Sequence, residues 1–262
     1  MNVALDATYS TGRNLSGVGI YSREILTGLA AAHPEAHYLW CYRPHRLLRA
    51  LKQPRPAGVA VRPLFDNWQM FGATLFHGLN QRMPARRFRR SVCTFHDLFV
   101  FTSEYSTPEF RARFQAQARQ AATRADLIVC VSSFTADQVH NLLGVERSRL
   151  RVILHGTHPV TQLDERERQP VVLHVGAIQK RKNLIRLIGA FERAAPEPWR
   201  LVLAGSGGFD AAAIHERIAT SPARARIETP GWVADAELEQ LYRRATILAF
   251  PSLDEGFGIP VL

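Results

Sequence analysis

The sequence predicts an α/β protein built from two doubly wound parallel-sheet units. Three observations predict it. Short apolar runs alternate with helix-period stretches along the whole chain. A polar, charged segment closed by Pro170 divides them into two successive series. Loops carrying glycine or charge follow several of the apolar runs directly, where doubly wound sheets bind their ligands.

The elements follow in order. Strands are expected at residues 3–5, 37–42, 59–64, 74–77, 91–96, 127–131 and 150–154. Helices are expected at 20–32, 108–123 and 134–143. The second series places strands at 171–175, 200–204, 226–229 and 246–250, with helices at 184–195, 211–220 and 235–244. Strand-helix alternation favours parallel sheets with helices on both faces. The expected domains are 1–160 and 170–262, joined by a linker at 161–169. A small-molecule ligand is expected in a cleft between them.

Composition narrows the class. With 262 residues, 46% of them apolar, the chain can bury a substantial core. No apolar run reaches the ~18 residues of a membrane span. The N-terminus lacks the basic and apolar regions of a signal peptide, so a cytoplasmic location is expected. Cys41, Cys93 and Cys130 each lie in a strand-like run without a close pair. Buried reduced thiols are therefore expected, rather than disulfides or a metal site. The net charge of +10 favours anionic partners. Its densest cluster, Arg86-Arg-Phe-Arg-Arg90, reads either as a solvated basic loop or as a peripheral contact with anionic lipid.

Four loops can carry chemistry. Ser16-Gly-Val-Gly19 stands between the first strand and its helix. Gly17 and Gly19 there would admit close backbone approach beside a helix N-terminus, although a plain turn has the same pattern. His96-Asp97 ends an apolar strand, so the imidazole and its neighbouring carboxylate are a structural or a functional pair. Val175-Gly-Ala-Ile-Gln-Lys-Arg-Lys-Asn183 sets three cations before a helix, with Asn183 as the expected N-cap. Like charges against a helix N-terminus are costly unless they meet an anion, which favours a diphosphate there. Glu255-Gly-Phe-Gly258 offers a carboxylate for sugar hydroxyls, with Asp254 beside it as a rival acid. The stretch Gly205-Ser-Gly-Gly-Phe-Asp210 fails the dinucleotide fingerprint, because its third glycine falls on Asp210.

Together these loops resemble the retaining glycosyltransferases of family 4, and bacterial mannosyltransferases of O-antigen synthesis in particular. The resemblance runs from Asp6 to Leu262 and is densest in 175–183 and 231–258. It implies the GT-B architecture: two Rossmann-like domains facing a cleft, an acceptor-side domain first and a nucleotide-sugar domain second. It implies that Lys182, with Arg181, neutralises the donor diphosphate, and that Gly17 and Gly19 approach the phosphates and acceptor. His96 would bond a hydroxyl of the transferred sugar, and Glu255 would hold that sugar from the other side. Gly256, Phe257 and Gly258 would present backbone N–H groups, while Gly205, Ser206, Trp232 and Val233 would frame the base and ribose. No metal or other cofactor is implied. The implied partners are a nucleotide-sugar, GDP-mannose first, and a glycan or lipid-linked acceptor at the inner membrane face, not nucleic acid.

Two departures accompany the resemblance. Ala177 stands where many members carry an arginine. The family's second glutamate, eight residues after the first, would fall at position 263, one past the last residue. The second domain is accordingly expected to be incomplete, with an uncovered sheet edge and exposed apolar surface. Two functional classes follow: an active hexosyltransferase, or a catalytically inactive fragment of one.

Overall fold

A computed structural model describes residues 1–12, 14–67, 72–157 and 168–262. They form two compact units, Met1–Phe101 with Glu109–Leu154, and Thr102–Pro108 with His155–Leu262. Of the expected linker, residues 161–167 lie outside the described residues, and Gln169 opens a strand.

The first unit contains a seven-stranded sheet. Its strands are β1 (Asn2–Asp6), β2 (His37–Tyr42), β3 (Val59–Pro63), β4 (Leu75–Gly78), β5 (Ser91–Phe95), β6 (Leu127–Cys130) and β7 (Leu150–Val152). They run parallel in the order β3-β2-β1-β4-β5-β6-β7. Every crossover therefore packs a face, and the order reverses between β1 and β4, leaving a crevice at their carboxyl ends. Strand interiors are near-continuous apolar runs because both faces are covered. One face packs Leu5, Trp40 and Tyr42 with Leu26, and the other packs Phe76, Phe95 and Ile128 with Ala118, Ala121 and Val139.

The helices among the described residues are α1 (Gly17–Ala32), α2 (Pro44–Leu51), α3 (Phe99–Thr102), α4 (Pro108–Arg124), α5 (Ser133–Leu143), α6 (Leu184–Ala194), α7 (Ala211–Ala219) and α8 (Asp235–Arg244). Neither α2 nor α3 was expected. The first begins at Pro44, favoured at a helix start, but leaves Leu48 and Leu51 exposed, so its apolar pattern does not read as a buried stripe. The second is a single turn. All three cysteines are buried and outside any disulfide, and burial raises their thiols, Cys130 to about 12.

The second unit has a four-stranded parallel sheet in the order β10-β9-β8-β11. These strands are β8 (Gln169–Val175), β9 (Arg200–Ala204), β10 (Ile227–Gly231) and β11 (Ala245–Leu248). Its order reverses between β8 and β11. Ile188, Phe191, Leu201, Leu203 and Ile214 fill the core on one face. Leu173, Val202, Leu241 and Ala245 fill it on the other. β11 forms one edge, and its Ile247 is exposed.

Candidate functional site

In the second unit the two loops flanking the strand-order reversal meet. After β8 the chain runs through Gly176 into one 3-10 turn, Lys180–Lys182, and then α6. After β11 it runs through Pro251 to Gly258 and into the turn Ile259–Val261. Three bonds tie these loops together. Asn183 Nδ2 donates to the Pro251 carbonyl at 3.1 Å, Leu253 N–H donates to the Arg181 carbonyl at 2.9 Å, and an Arg181 guanidinium nitrogen donates to the Asp254 carbonyl. The expected Asn183 cap is thus corrected. The residue adopts a left-handed conformation (φ 58°), and its side chain bonds the facing loop instead of the first turn of α6.

Glu255 is shared by both cations of the turn. Its Oε1 accepts from Lys182 Nζ and lies 3.2 Å from the Arg181 guanidinium. Lys182 is 7% exposed and Arg181 9%, so the cluster is charged yet nearly sealed. Burial pushes the Glu255 carboxyl up, but Arg181 and Lys182 outweigh it and hold the group below the usual carboxylate range. Between the two acids the geometry is decisive: Asp254 is buried and accepts from Thr102, and Glu255 faces the cations.

The cations sit where they do because of what lies beneath. His174, on β8, is fully buried, and its Nδ1 bonds the Ala249 carbonyl at 3.1 Å. A carbonyl only accepts, so Nδ1 carries the proton and Nε2 is a buried lone pair without a partner. Burial lowers its basicity, and Lys182 adds to that. A Cβ on Gly176 would lie 3.3 Å from both this Nε2 and Lys182 Cε. Above it, Phe250 presents its ring 5.2 Å from Lys182 Nζ. Phe257 meets the His155 ring edge-on at 4.8 Å, Gly256 is buried, and Gly258 has φ 94°.

Gly205 packs its backbone directly on Gly176 and donates to the Gly231 carbonyl. Beside it Ser206 and Trp232 are exposed, and Val233 is half-buried against the core. Asp210, where the fingerprint glycine is missing, still takes positive φ (64°) at the start of α7.

In the first unit the loop expected at Ser16–Gly19 is largely helix. α1 starts at Gly17, with Ser16 as N-cap accepting from Gly19 N–H at 3.3 Å. A Cβ on Gly19 would lie 2.8 Å from the Tyr9 carbonyl, whereas one on Gly17 would meet nothing within 4 Å. Gly19 is therefore required by packing, and Gly17 keeps the backbone open at the helix N-terminus.

His96 follows β5. Its Nε2 bonds the Leu79 carbonyl at 2.9 Å, which fixes the proton there and makes Nδ1 of the neutral ring an acceptor. Tyr21 of α1 presses edge-on against the ring at 4.7 Å. The Tyr21 hydroxyl and His77 Nε2 both bond Thr94 Oγ1, at 3.1 and 2.9 Å. Sequence reasoning missed Tyr21, His77, Thr94 and His174. They come from separate elements, and no local pattern links them.

His77 makes a testable contribution. Burial of its imidazole, with His96 close by, lowers it from 6.5 to about 4. The native ring stays neutral in this range while the unfolded chain takes up the proton. Stability is then fully present above pH 6.5 and is lost as pH falls toward 4. A loss of about 2 kcal/mol is expected, below the full shift because His77 as a residue is only half-buried. Urea midpoints at pH 7 and 4.5 check it: His77→Asn should flatten the pH dependence, and equal slopes in both proteins would absolve His77.

Among the described residues, no group of three or more His, Cys, Asp or Glu is placed to hold a metal ion, and no helix is long and apolar enough to cross a membrane.

Comparison with known proteins places these loops in context. Residues 15–160, more than half of the chain, match the family model described as Glycosyltransferase Family 4. The chain belongs to glycosyltransferase family 4. Residues 160–262 match the model for glycosyl transferases group 1. The O-antigen chain mannosyltransferase B of Escherichia coli is 28% identical over 81% of this chain and 58% of its own length. The O-antigen chain mannosyltransferase RfbU of Salmonella typhimurium is 24% identical over 66% of this chain and 48% of its own. This family 4 chain thus spans about half the length of these two relatives.

Solved structures agree on the fold, which is GT-B. Sucrose-phosphate synthase from Thermosynechococcus elongatus superposes with a TM-score of 0.71 at 18% identity, covering 99% of this chain and 77% of that one. Anabaena HepE in complex with UDP and glucose gives 0.66 at 16%, covering 100% and 77%.

Proposed function

We propose that this family 4 chain takes part in retaining transfer of a hexose, mannose foremost, from a nucleotide-sugar to a glycan or lipid-linked acceptor in polysaccharide or O-antigen synthesis. The observation that carries it is the pair of nearly sealed cations, Lys182 and Arg181, at the strand-order reversal of the second unit. Such a reversal is where open α/β sheets take ligands. Two cations there suit a diphosphate leaving group, whose developing charge they stabilise without rearranging. The reading gives charge neutralisation to these side chains rather than to a metal ion.

The remaining roles follow from each group's chemistry. Glu255 accepts from sugar hydroxyls. His96 accepts through Nδ1, because Leu79 holds the proton on Nε2. No side-chain nucleophile is assigned: the acceptor hydroxyl attacks from the face the diphosphate leaves, and the departing phosphate takes its proton. The curated relatives named as mannosyltransferases favour GDP-mannose as donor. The basic run 86–90 is the candidate contact with anionic lipid at the inner membrane face.

A second reading, that this stretch alone lacks transfer activity, is favoured by its 58% share of the relative's length. Transfer of labelled mannose from GDP-mannose to lipid-linked acceptors, measured on this chain and on one extended past Leu262, separates the two. Turnover by both supports the first, and turnover by the longer chain alone supports the second. Equal or greater transfer from UDP-glucose would refute the donor assignment.

A further inference from the structure

Lys182 and Arg181 are already engaged by a carboxylate that the fold fixes in place. The Glu255 carboxylate is held by Lys182 Nζ and lies 3.2 Å from the Arg181 guanidinium, and three bonds between the two loops fix the backbone that carries it. A phosphate that reaches Lys182 Nζ therefore comes close to Glu255 Oε1, and both carry negative charge. Lys182 and Arg181 are nearly sealed and the Glu255 side chain is 22% exposed, so water screens that repulsion only in part. A hydroxyl-bearing sugar attached to the diphosphate changes the balance, because its hydroxyls can donate to the same carboxylate.

We propose that Glu255 is a specificity determinant that disfavours bare diphosphates on Lys182 and Arg181 and accepts those that carry a sugar. The inference rests on the donor-site reading above and adds a consequence to it. The intact donor is retained, and the nucleoside diphosphate left after transfer is expelled by the chain's own carboxylate. The same group thus serves two stages, accepting hydroxyls before transfer and repelling the product after it.

Calorimetry on the full chain with inorganic pyrophosphate, GDP and GDP-mannose tests it. In Glu255→Gln, pyrophosphate and GDP should bind at least about tenfold tighter than in the native chain, and GDP-mannose no tighter. Circular dichroism establishes that the variant folds. If it does not, Glu255→Asp, whose shorter side chain weakens the Lys182 contact, should shift the same preference by a smaller factor. Equal or weaker binding of pyrophosphate and GDP by the variant overturns the proposal, as does absence of binding by both proteins. Lys182→Ala separates the two readings. If it loses pyrophosphate while Glu255→Gln gains none, the donor site survives and the role of Glu255 does not. If it binds pyrophosphate as the native chain does, the donor-site reading itself fails.

Discussion

Gly205→Ala is expected to destabilise the second unit by about 3–5 kcal/mol, enough to unfold a marginal domain. The cause is steric. A Cβ built on Gly205 would lie 1.9 Å from the Gly176 carbonyl oxygen and 2.5 Å from its carbon. Both are backbone atoms, so no side chain can rotate out of the way. Gly176 in turn is held by its N–H bond to the Ala204 carbonyl, and Gly205 by its own to Gly231. Relief requires the ends of β8 and β9 to separate, breaking one or both bonds. Strain of ~1–3 kcal/mol for a conformation that side chains avoid adds to a similar cost of overpacking. Gly207→Ala is the control. A Cβ there would come no closer than 3.6 Å to the Ala211 Cβ, so it should change stability by less than about 1 kcal/mol. Urea unfolding of both variants checks the contrast, and a Gly205→Ala protein as stable as Gly207→Ala would refute it. The Lys182 turn should also lose its position, because Gly176 carries the chain from β8 into it.

Much of this was legible in the sequence, and the rest fails for identifiable reasons. Among the described residues all eleven strands lie where apolar runs predicted them, because buried parallel strands are nearly continuous in hydrophobicity. Boundaries slipped where turns intervene. Arg226, read as strand, belongs to a 3-10 turn, and β10 continues to Gly231. The helix α1 begins three residues before its expected start because Ser16 caps it, outweighing the poor helix propensity of two glycines. Lys182, Arg181 and Glu255 were readable as charges on strand-end loops, and the sheet order brings those loops together. His174 was invisible as a site residue. One histidine inside Val-Leu-His-Val looks like any strand residue until Ala249 and Gly176 are placed around it. The left-handed Asn183 was likewise hidden, since Asn serves equally as an N-cap or as a positive-φ residue.

Lys182→Ala is expected to weaken binding of GDP-mannose at least about a hundredfold while the second unit stays folded. A charge-assisted hydrogen bond contributes ~1.5–3 kcal/mol, and each 1.4 kcal/mol is about tenfold in affinity. Lys182 as a residue is 7% exposed, so its attraction for a phosphate is little screened, which favours the upper end. Folding tolerates the loss better than binding does. Glu255 keeps Arg181 at 3.2 Å, so it is not stranded as a lone buried charge. If Glu255 plays the role proposed for it, free GDP should suffer more than GDP-mannose, because the remaining carboxylate would repel a bare diphosphate and accept from sugar hydroxyls. Lys182→Arg should not restore affinity. Its wider, planar head would have to fit against His174 and the Gly176 backbone, where the lysine Cε already stands 3.3 Å from the position of an added Cβ. Calorimetry alongside near-UV circular dichroism decides the matter. A folded Lys182→Ala protein whose GDP-mannose affinity lies within threefold of native would show that the ammonium does not touch the donor. The cations after β8 would then be a structural clasp for Glu255 and its loop.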